Sequence, residues 1–404
     1  MPKFTAKTLL TLAKEATSGV EQADSIPDDV LEVSDGNLNP NAQRIDIPEV
    51  TGSKDRRPGQ RGPMLPAITG RHAIRGGVLI TDRPQLRTFL EICGLRFHDF
   101  DTAPIPASST TTIVASSGTT TSVNVDRSGG GSDWPNVEDA VEVLGCPIEL
   151  VISGTTYTPA VIGYKLVSGS IWRLDLSEAP TGSAIPNGAT VRVPPRQKYA
   201  PDESTDVSPS ATARMYEDGV RTMLLGCRGL LTVQLQNLNP LFLGVDVRGT
   251  FAPVPDADVT QPTYVTNRAA LPPIWRNGAF TYGQRRLAGN AFNVNVQSRI
   301  ELPDDPNEAE GLGPAEIVER TIGGDLTVQL LAKASMSVLT DLRDQVPRPL
   351  HARAGSVAGN RIAITVPTGL LTGVSTVDSK GFIHRRPVFE ADGIGQKRCQ
   401  VVLY

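Results

Sequence analysis

His72, His98, His351 and His384 are the four imidazoles of this 404-residue chain, and they decide first what chemistry is open to it. A nucleophilic serine needs a base within hydrogen-bond reach and a sharp turn to present it. None of the four histidines stands in a G-x-S-x-G or H-E-x-x-H context. The chain therefore reads as a non-enzyme. Cys93, Cys146, Cys227 and Cys399 are scattered, with no C-x-x-C pair and no histidine at metal spacing, so they read as buried thiols of a chain made in a reducing cytoplasm. Gly129, Gly130 and Gly131 are not followed by Lys-Ser/Thr and open no helix, which makes them a loop rather than a phosphate cradle. The stretch "ELPDDPNEAEGLGPAE" gathers Asp304, Asp305, Glu308 and Glu310, a density of charge that could attract calcium. It lacks the alternating D-x-D-x-D-G order of a calcium loop and reads as a solvated or inter-subunit acidic loop. No cofactor and no metal is expected.

With no reacting constellation, bulk composition carries more weight. A formal net charge of -4 argues against a surface built to grip nucleic acid, which needs a clustered basic footprint. Aromatics at 5%, with 38 Gly and 32 Pro, suit short strands and many turns, so a mainly β protein is expected. The length allows two or three domains, because single cores stop growing at about 250–300 residues. The opening "MPKFTAKTLLTLAKEATSG" has no apolar signal region, and no segment approaches the roughly 18 apolar residues of a membrane span. A soluble chain with no membrane partner is expected.

Residues 5–16 predict a short helix with Leu9, Leu10 and Ala13 on one face, followed by a polar arm to about Pro40. Residues 41–70, with Arg57 and Arg61, read as a long exposed loop that meets an acidic neighbour. "GGVLITDRPQLRTFLEICG" (76–94) predicts a strand and then a helix with Leu86, Phe89, Leu90 and Cys93 at i, i+3, i+4, i+7 and a C-cap at Gly94. "GLLTVQLQNLNPLFLGVDVRG" (229–249) alternates Leu231, Val233 and Leu235 against Thr232, Gln234 and Gln236, turns at Asn239-Pro240 and alternates again. The first motif is echoed in "GGDLTVQLLAKASMSVLTDLRDQ" (323–345), a strand followed by a helical stripe of Val338, Leu339 and Leu342. "NRIAITVPTGLLTGVSTVDSKGF" then supplies a strand, a turn and a strand with Ile362, Ile364 and Val366 inward. Strand, helix and hairpin thus occur twice. Between the first helix and its hairpin lies a Ser/Thr/Val-rich segment that reads as an inserted β-barrel or sandwich. The expected organisation is an N-terminal helix and arm (1–40), a first β domain (41–105 plus 200–256), the insert (106–199) and a second β domain (257–404).

In the order of these pieces the chain resembles the major tail tube proteins of long, flexible-tailed bacteriophages, in their duplicated form. The resemblance lies in "LLTLAKEATSG" before "VLEVSDGNLNP", in "GVLITDRPQLRTFLEICGL", in "MYEDGVRTMLLGCRGLLTVQLQNLNPLFLGVDVRGTFAPVPDA" and in the run from "LPPIWRNGAFTYG" to "NVNVQSRIELPDD", then "GNRIAITVPTG". It covers most of the chain except 106–199, which has no counterpart in it, and Ser18-Gly19 stands where the family commonly has Tyr-Gly.

The resemblance implies tandem tail-tube domains of the β-barrel/sandwich class with short flanking helices, three copies closing a pseudo-hexameric ring, and rings stacked helically into a tube. It implies a structural virion protein of the tail, synthesised in the host bacterial cytoplasm. Its partners would be its own copies, the tape measure, tail terminator and baseplate proteins, and viral DNA that passes through without specific binding. Leu86, Phe89, Leu90, Val338, Leu339 and Leu342 are expected to pack the two helices inward. Leu9, Leu10, Arg57, Arg61, Asp304, Asp305 and Glu308 are expected to touch the next ring. A neutral to acidic lumen is expected, lined by Thr232, Gln234, Asn293 and Asn295, because a basic wall would hold phosphates. The insert is expected to decorate the outside. The alternatives are a baseplate or distal-tail ring component, which would stop at one layer, and a secreted adhesin.

Overall fold

Alternating apolar residues build long antiparallel strands, and the protein is mainly β. A computed structural model describes residues 8–25, 30–40, 42–45, 60–73, 84–99, 113–126, 143–169, 171–192, 194, 196–201, 209–260, 262, 272–276, 278–308, 311–329, 337–356, 360–393 and 395–404. The chain opens with β1 (Thr8–Lys14), β2 (Val30–Leu31), β3 (Ser34–Asn39), β4 (Ala42–Ile45), β5 (Gln60–Met64) and β6 (Ala67–Ala73), then α1 (Pro84–Ile92) and β7 (Leu95–Asp99). Seven strands follow: β8 (Ile113–Gly118), β9 (Ser122–Asp126), β10 (Glu149–Ile152), β11 (Thr155–Tyr157), β12 (Val161–Ser168), β13 (Ile171–Leu176) and β14 (Thr190–Arg192). Next come β15 (Gln197–Pro201), β16 (Ala211–Glu217), β17 (Val220–Gln236) and β18 (Phe242–Asp258). The chain closes with β19 (Phe280–Tyr282), β20 (Arg285–Arg286), β21 (Gly289–Glu301), β22 (Glu316–Gln329), α2 (Val338–Arg343), β23 (Arg348–Ala354), β24 (Ile362–Ser379), β25 (Phe382–Ala391) and β26 (Gln400–Leu403).

One order of hydrogen-bonded neighbours is drawn twice. In the first half β2 pairs β1, β1 pairs β16, β16 pairs β17, β17 pairs β18, β18 pairs β6 and β6 pairs β3. In the second half β20, β19, β23, β24, β25, β22 and β21 are joined in the same order, and each half carries its helix at the same point of the chain. The halves meet where β21 pairs with the end of β17, and again where β15, the partner of β7, pairs with β26. One hydrophobic core runs through both, from Leu86 and Phe89 through Leu231, Val233 and Phe292 to Ile364 and Phe389.

In the first half α1 buries Leu86, Phe89, Leu90 and Cys93, and each such side chain contributes about 1.5–3 kcal/mol. The helix approaches β17 closely because Gly229 has no Cβ, which would lie 2.7 Å from the Cys93 sulfur. Gly94, at φ +80°, ends the helix and donates its N–H to the Glu91 carbonyl at 2.9 Å.

Strands β8–β14 form a sheet of their own, around a core that includes Val123, Ile148, Leu150, Leu174 and Val191. Residues 197–199, at the expected end of the insert, belong to β15, which pairs β7 and β26. Though inserted in the first half of the sequence, this module rests on the second. Arg286 is ion-paired with the buried Glu178, Gln284 Nε2 donates to the Leu176 carbonyl at 2.9 Å, and the Thr365 hydroxyl donates to the Gly145 carbonyl at 3.1 Å.

Several expectations are corrected. The predicted helix over 5–16 is strand β1 across its described residues, paired with β16 from Thr8–Glu217 to Lys14–Ala211. Both its faces are buried, Leu9 against Val30 and Tyr216, Leu10 and Leu12 in the main core, so the apolar run lacks alternation and mimics a helical face. The arm does not stand free. Its described part folds back on β16, where the Arg214 guanidinium binds Asp24, Glu21 and the Gln22 carbonyl. The loop expected over 41–70 contains the ribbon β4–β5 and strand β6. The strand, turn and strand expected over 360–382 is one long strand, β24, with its turn only at Lys380-Gly381, and Ile362, Ile364 and Val366 face inward. Leu339 is 57% exposed, so the inward stripe of α2 consists of buried Val338 and half-buried Leu342. A helix of six residues has room for only one narrow apolar face.

Candidate conduit face and assembly surfaces

Pairing in a sheet turns alternate residues to opposite faces, so a buried row on one side dictates a second row on the other. Leu231, Val233 and Leu235 of β17, and Phe292, Val294 and Val296 of β21, point into the core. The four residues expected in the lumen lie on the opposite face as two direct cross-strand pairs, Thr232 opposite Asn295 and Gln234 opposite Asn293, all half-exposed. They mark the junction of the halves. One register row runs Arg71, Gly244, Thr232, Asn295, Gly323 and Glu390 across β6, β18, β17, β21, β22 and β25.

Three arginines on this face are paired with carboxylates beside them. Arg248 binds Asp246 at 2.9 Å, Arg386 binds Asp325 at 3.0 Å and Arg299 binds Glu301 at 2.8 Å. The carboxylate hydrogen bonds raise the pKa of Arg248 and of Arg386, so both remain cations whose field is cancelled beside them. Asn293 Nδ2 also donates to the Asp325 carboxylate at 3.3 Å. Arg71 and Glu390, at the two ends of the register row, and Val388, opposite Asp325, are exposed on the same face.

The residues expected between rings separate. Leu9 and Leu10 are 0% and 1% exposed within the chain, so they offer no surface to a second ring. Arg57 and Glu310 lie outside the described residues, as do Gly129–Gly131 and the strand expected at the start of 76–94. Arg61 is placed in β5 opposite Arg44. Asp304 and Glu308 are exposed and Asp305 half-exposed in a closed loop between β21 and β22, where Asp305 Oδ1 accepts the Asn307 N–H at 2.9 Å and Asp305 N–H donates to the Gly311 carbonyl at 3.0 Å. Among the described residues no cluster of three His, Cys, Asp or Glu side chains could hold a metal. No described helix is long and apolar enough to cross a membrane.

Sequence reasoning missed the strand tips. Phe382 and Ile383, at the turn from β24 to β25, are 60% and 57% exposed, and Leu238, at the turn from β17 to β18, is 62% exposed. The signal was present as two large apolar residues directly after the Lys380-Gly381 turn. Reasoning also missed Glu15, whose buried carboxylate accepts from Gly19 N, Gly226 N, Ser210 Oγ and Thr212 Oγ1 and so ties the end of β1 to its neighbours.

Three thiols and one imidazole are withdrawn from solvent. Burial raises the thiol pKa of Cys93, Cys227 and Cys399, the last to about 12. His351 is fully buried, and burial lowers its pKa to about 3. The Thr365 hydroxyl donates to Gly145, so its oxygen accepts from His351 Nδ1 at 3.0 Å, which makes the imidazole part of the seam between insert and second half. Comparison with models of known protein families finds no match, and comparison with curated protein sequences finds none either.

Proposed function

We propose that the chain is a structural subunit of a phage tail tube, three copies closing a ring and rings stacking into the conduit through which DNA is delivered. The observation that carries this reading is the twice-drawn pairing order, in which one half adds to the other through sheet hydrogen bonds. A sheet that grows this way has an open strand at each end, and ring closure is a way to remove both. The polar pairs at the β17–β21 junction suit the bore. The exposed apolar tips at Leu238 and Phe382-Ile383 suit contacts along the axis, and the inserted module decorates the outside. The subunit carries no catalytic role. Tape measure, terminator and baseplate proteins would be its partners in the virion.

Electron microscopy of the purified chain at rising concentration, with light scattering, tests this. Hollow tubes with three-fold rings are the expected result. Rings that stop at one layer would favour a baseplate or distal-tail component, and a chain that forms no ring at any concentration would overturn the reading.

A further inference from the structure

The junction inside the chain serves as a template for a second one. There β21 runs antiparallel to the end of β17, with Leu231 opposite Val296, Thr232 opposite Asn295, Gln234 opposite Asn293 and Leu235 opposite Phe292. In the repeated order β24 takes the place of β17, and Gly369-Leu370-Leu371-Thr372 reproduces Gly229-Leu230-Leu231-Thr232 residue for residue. Strand β3 takes the place of β21, since Leu38 lies opposite Ile68 of β6 as Val296 lies opposite Ile322 of β22. Among the described residues, β24 beyond Leu371 pairs only with β25, and β3 pairs only with β6. The two strands that meet in the middle of the chain thus have two counterparts with open edges.

We infer that β3 of one copy adds antiparallel to the Leu371–Val377 edge of β24 in the next copy, with Leu371 opposite Leu38, Thr372 opposite Asn37 and Ser375 opposite Ser34. This rests on the ring-forming reading and specifies its seam. Two independent observations support the register. First, β3 carries one extra residue relative to β6 between Ser34 and Asn37, with Asp35 at φ +57°, and β24 carries one extra relative to β25 between Leu371 and Gly373. In the inferred pairing these irregularities fall opposite each other, Gly373 against Gly36, so the ladder runs without an offset. A Cβ at Gly373 would meet nothing within 4 Å, which leaves room for the incoming strand. Second, the core-side residues of the internal junction, Val233, Phe292 and Val296, are 1%, 0% and 1% exposed, whereas their counterparts Val374, Val33 and Leu38 are only partly buried against the same core. A second copy on the edge would complete their burial.

The contact is head to tail, so each copy offers one β3 and one β24 edge, and the series ends only by closing. The test uses the full chain carrying Asn37→Cys together with Thr372→Cys, oxidised and run on a non-reducing gel. Directly opposed residues bring their Cβ atoms to about 4.5–5.5 Å, and the four native cysteines are buried. A ladder of covalent dimer and trimer that stops at trimer is expected, with none from Asn37→Cys paired with Asp378→Cys. Rings or tubes in micrographs without the Asn37–Thr372 link would overturn the seam and leave the ring reading standing. A chain that sediments as monomer at every concentration and does not link would overturn both.

Discussion

The first half of the main sheet and the second repeat one another closely enough that their differences are informative. Leu231 and Leu371, in the shared Gly-Leu-Leu-Thr, are each 1% exposed, but Val233, two residues on, is 1% exposed while Val374, three residues on past the irregularity at Gly373, is only partly buried. The side chains are identical. What differs is the neighbour: β21 covers the β17 edge, and no described strand covers that of β24. Burial at these positions is a property of the sheet's completeness rather than of the residue.

Substitutions in the unassembled chain, read by urea unfolding, measure how far the two edges differ. The largest contrast is expected at Phe292, fully buried with ring neighbours Phe280 at 5.6 Å and Phe389 at 6.0 Å. Phe292→Ala should cost about 3–5 kcal/mol, whereas Val33→Ala at the equivalent open edge should cost about 1 kcal/mol. Equal costs would mean the edge is already covered within one chain.

A smaller effect concerns acid and belongs to the second half alone. Unfolded, a histidine takes its proton near pH 6.5, while folded His351 resists it down to about 3. Its contribution is therefore present above about pH 6.5 and lost as pH falls toward 3, by up to about 1.4 kcal/mol per pH unit. The chain should be about 2 kcal/mol less stable at pH 5 than at pH 7 from this group. His351→Gln should flatten that difference, and an unchanged slope would place the acid sensitivity elsewhere.

Below this, Val233→Thr should cost about 1–2 kcal/mol and Val374→Thr under about 0.5 kcal/mol, because a hydroxyl at the open edge keeps its water. The smallest effect should be at α2. Leu339→Lys is expected within about 0.5 kcal/mol of the parent, and a larger loss would show that the exposed face of α2 is covered after all.

Much of the sheet was legible because alternation survives wherever one face meets the core and the other does not. Thr232, Gln234, Asn293 and Asn295 were assigned to one polar surface on that ground, and they are adjacent in the folded chain. Residues 8–14 were misread as a helix for the complementary reason: with both faces buried, a strand keeps no alternation to read. The extent of β24 is not legible locally, because Pro367 and Gly369 interrupt its apolar alternation, yet long-range pairing to β23 and β25 carries the strand through them.

Local periodicity accounts for the mainly β class, the inward rows of β17 and β24 and the burial of α1 through Leu86, Phe89 and Leu90. A chain segment carries its own period wherever it folds. Only the tertiary structure decided that β1 is a strand of the first half, that the inserted module rests on the second half through Glu178 and Gly145, and that β17 has a partner along an edge left open in β24. Partner choice between strands is a long-range contact, set by which edges remain after the core has closed, and no period in the sequence encodes it.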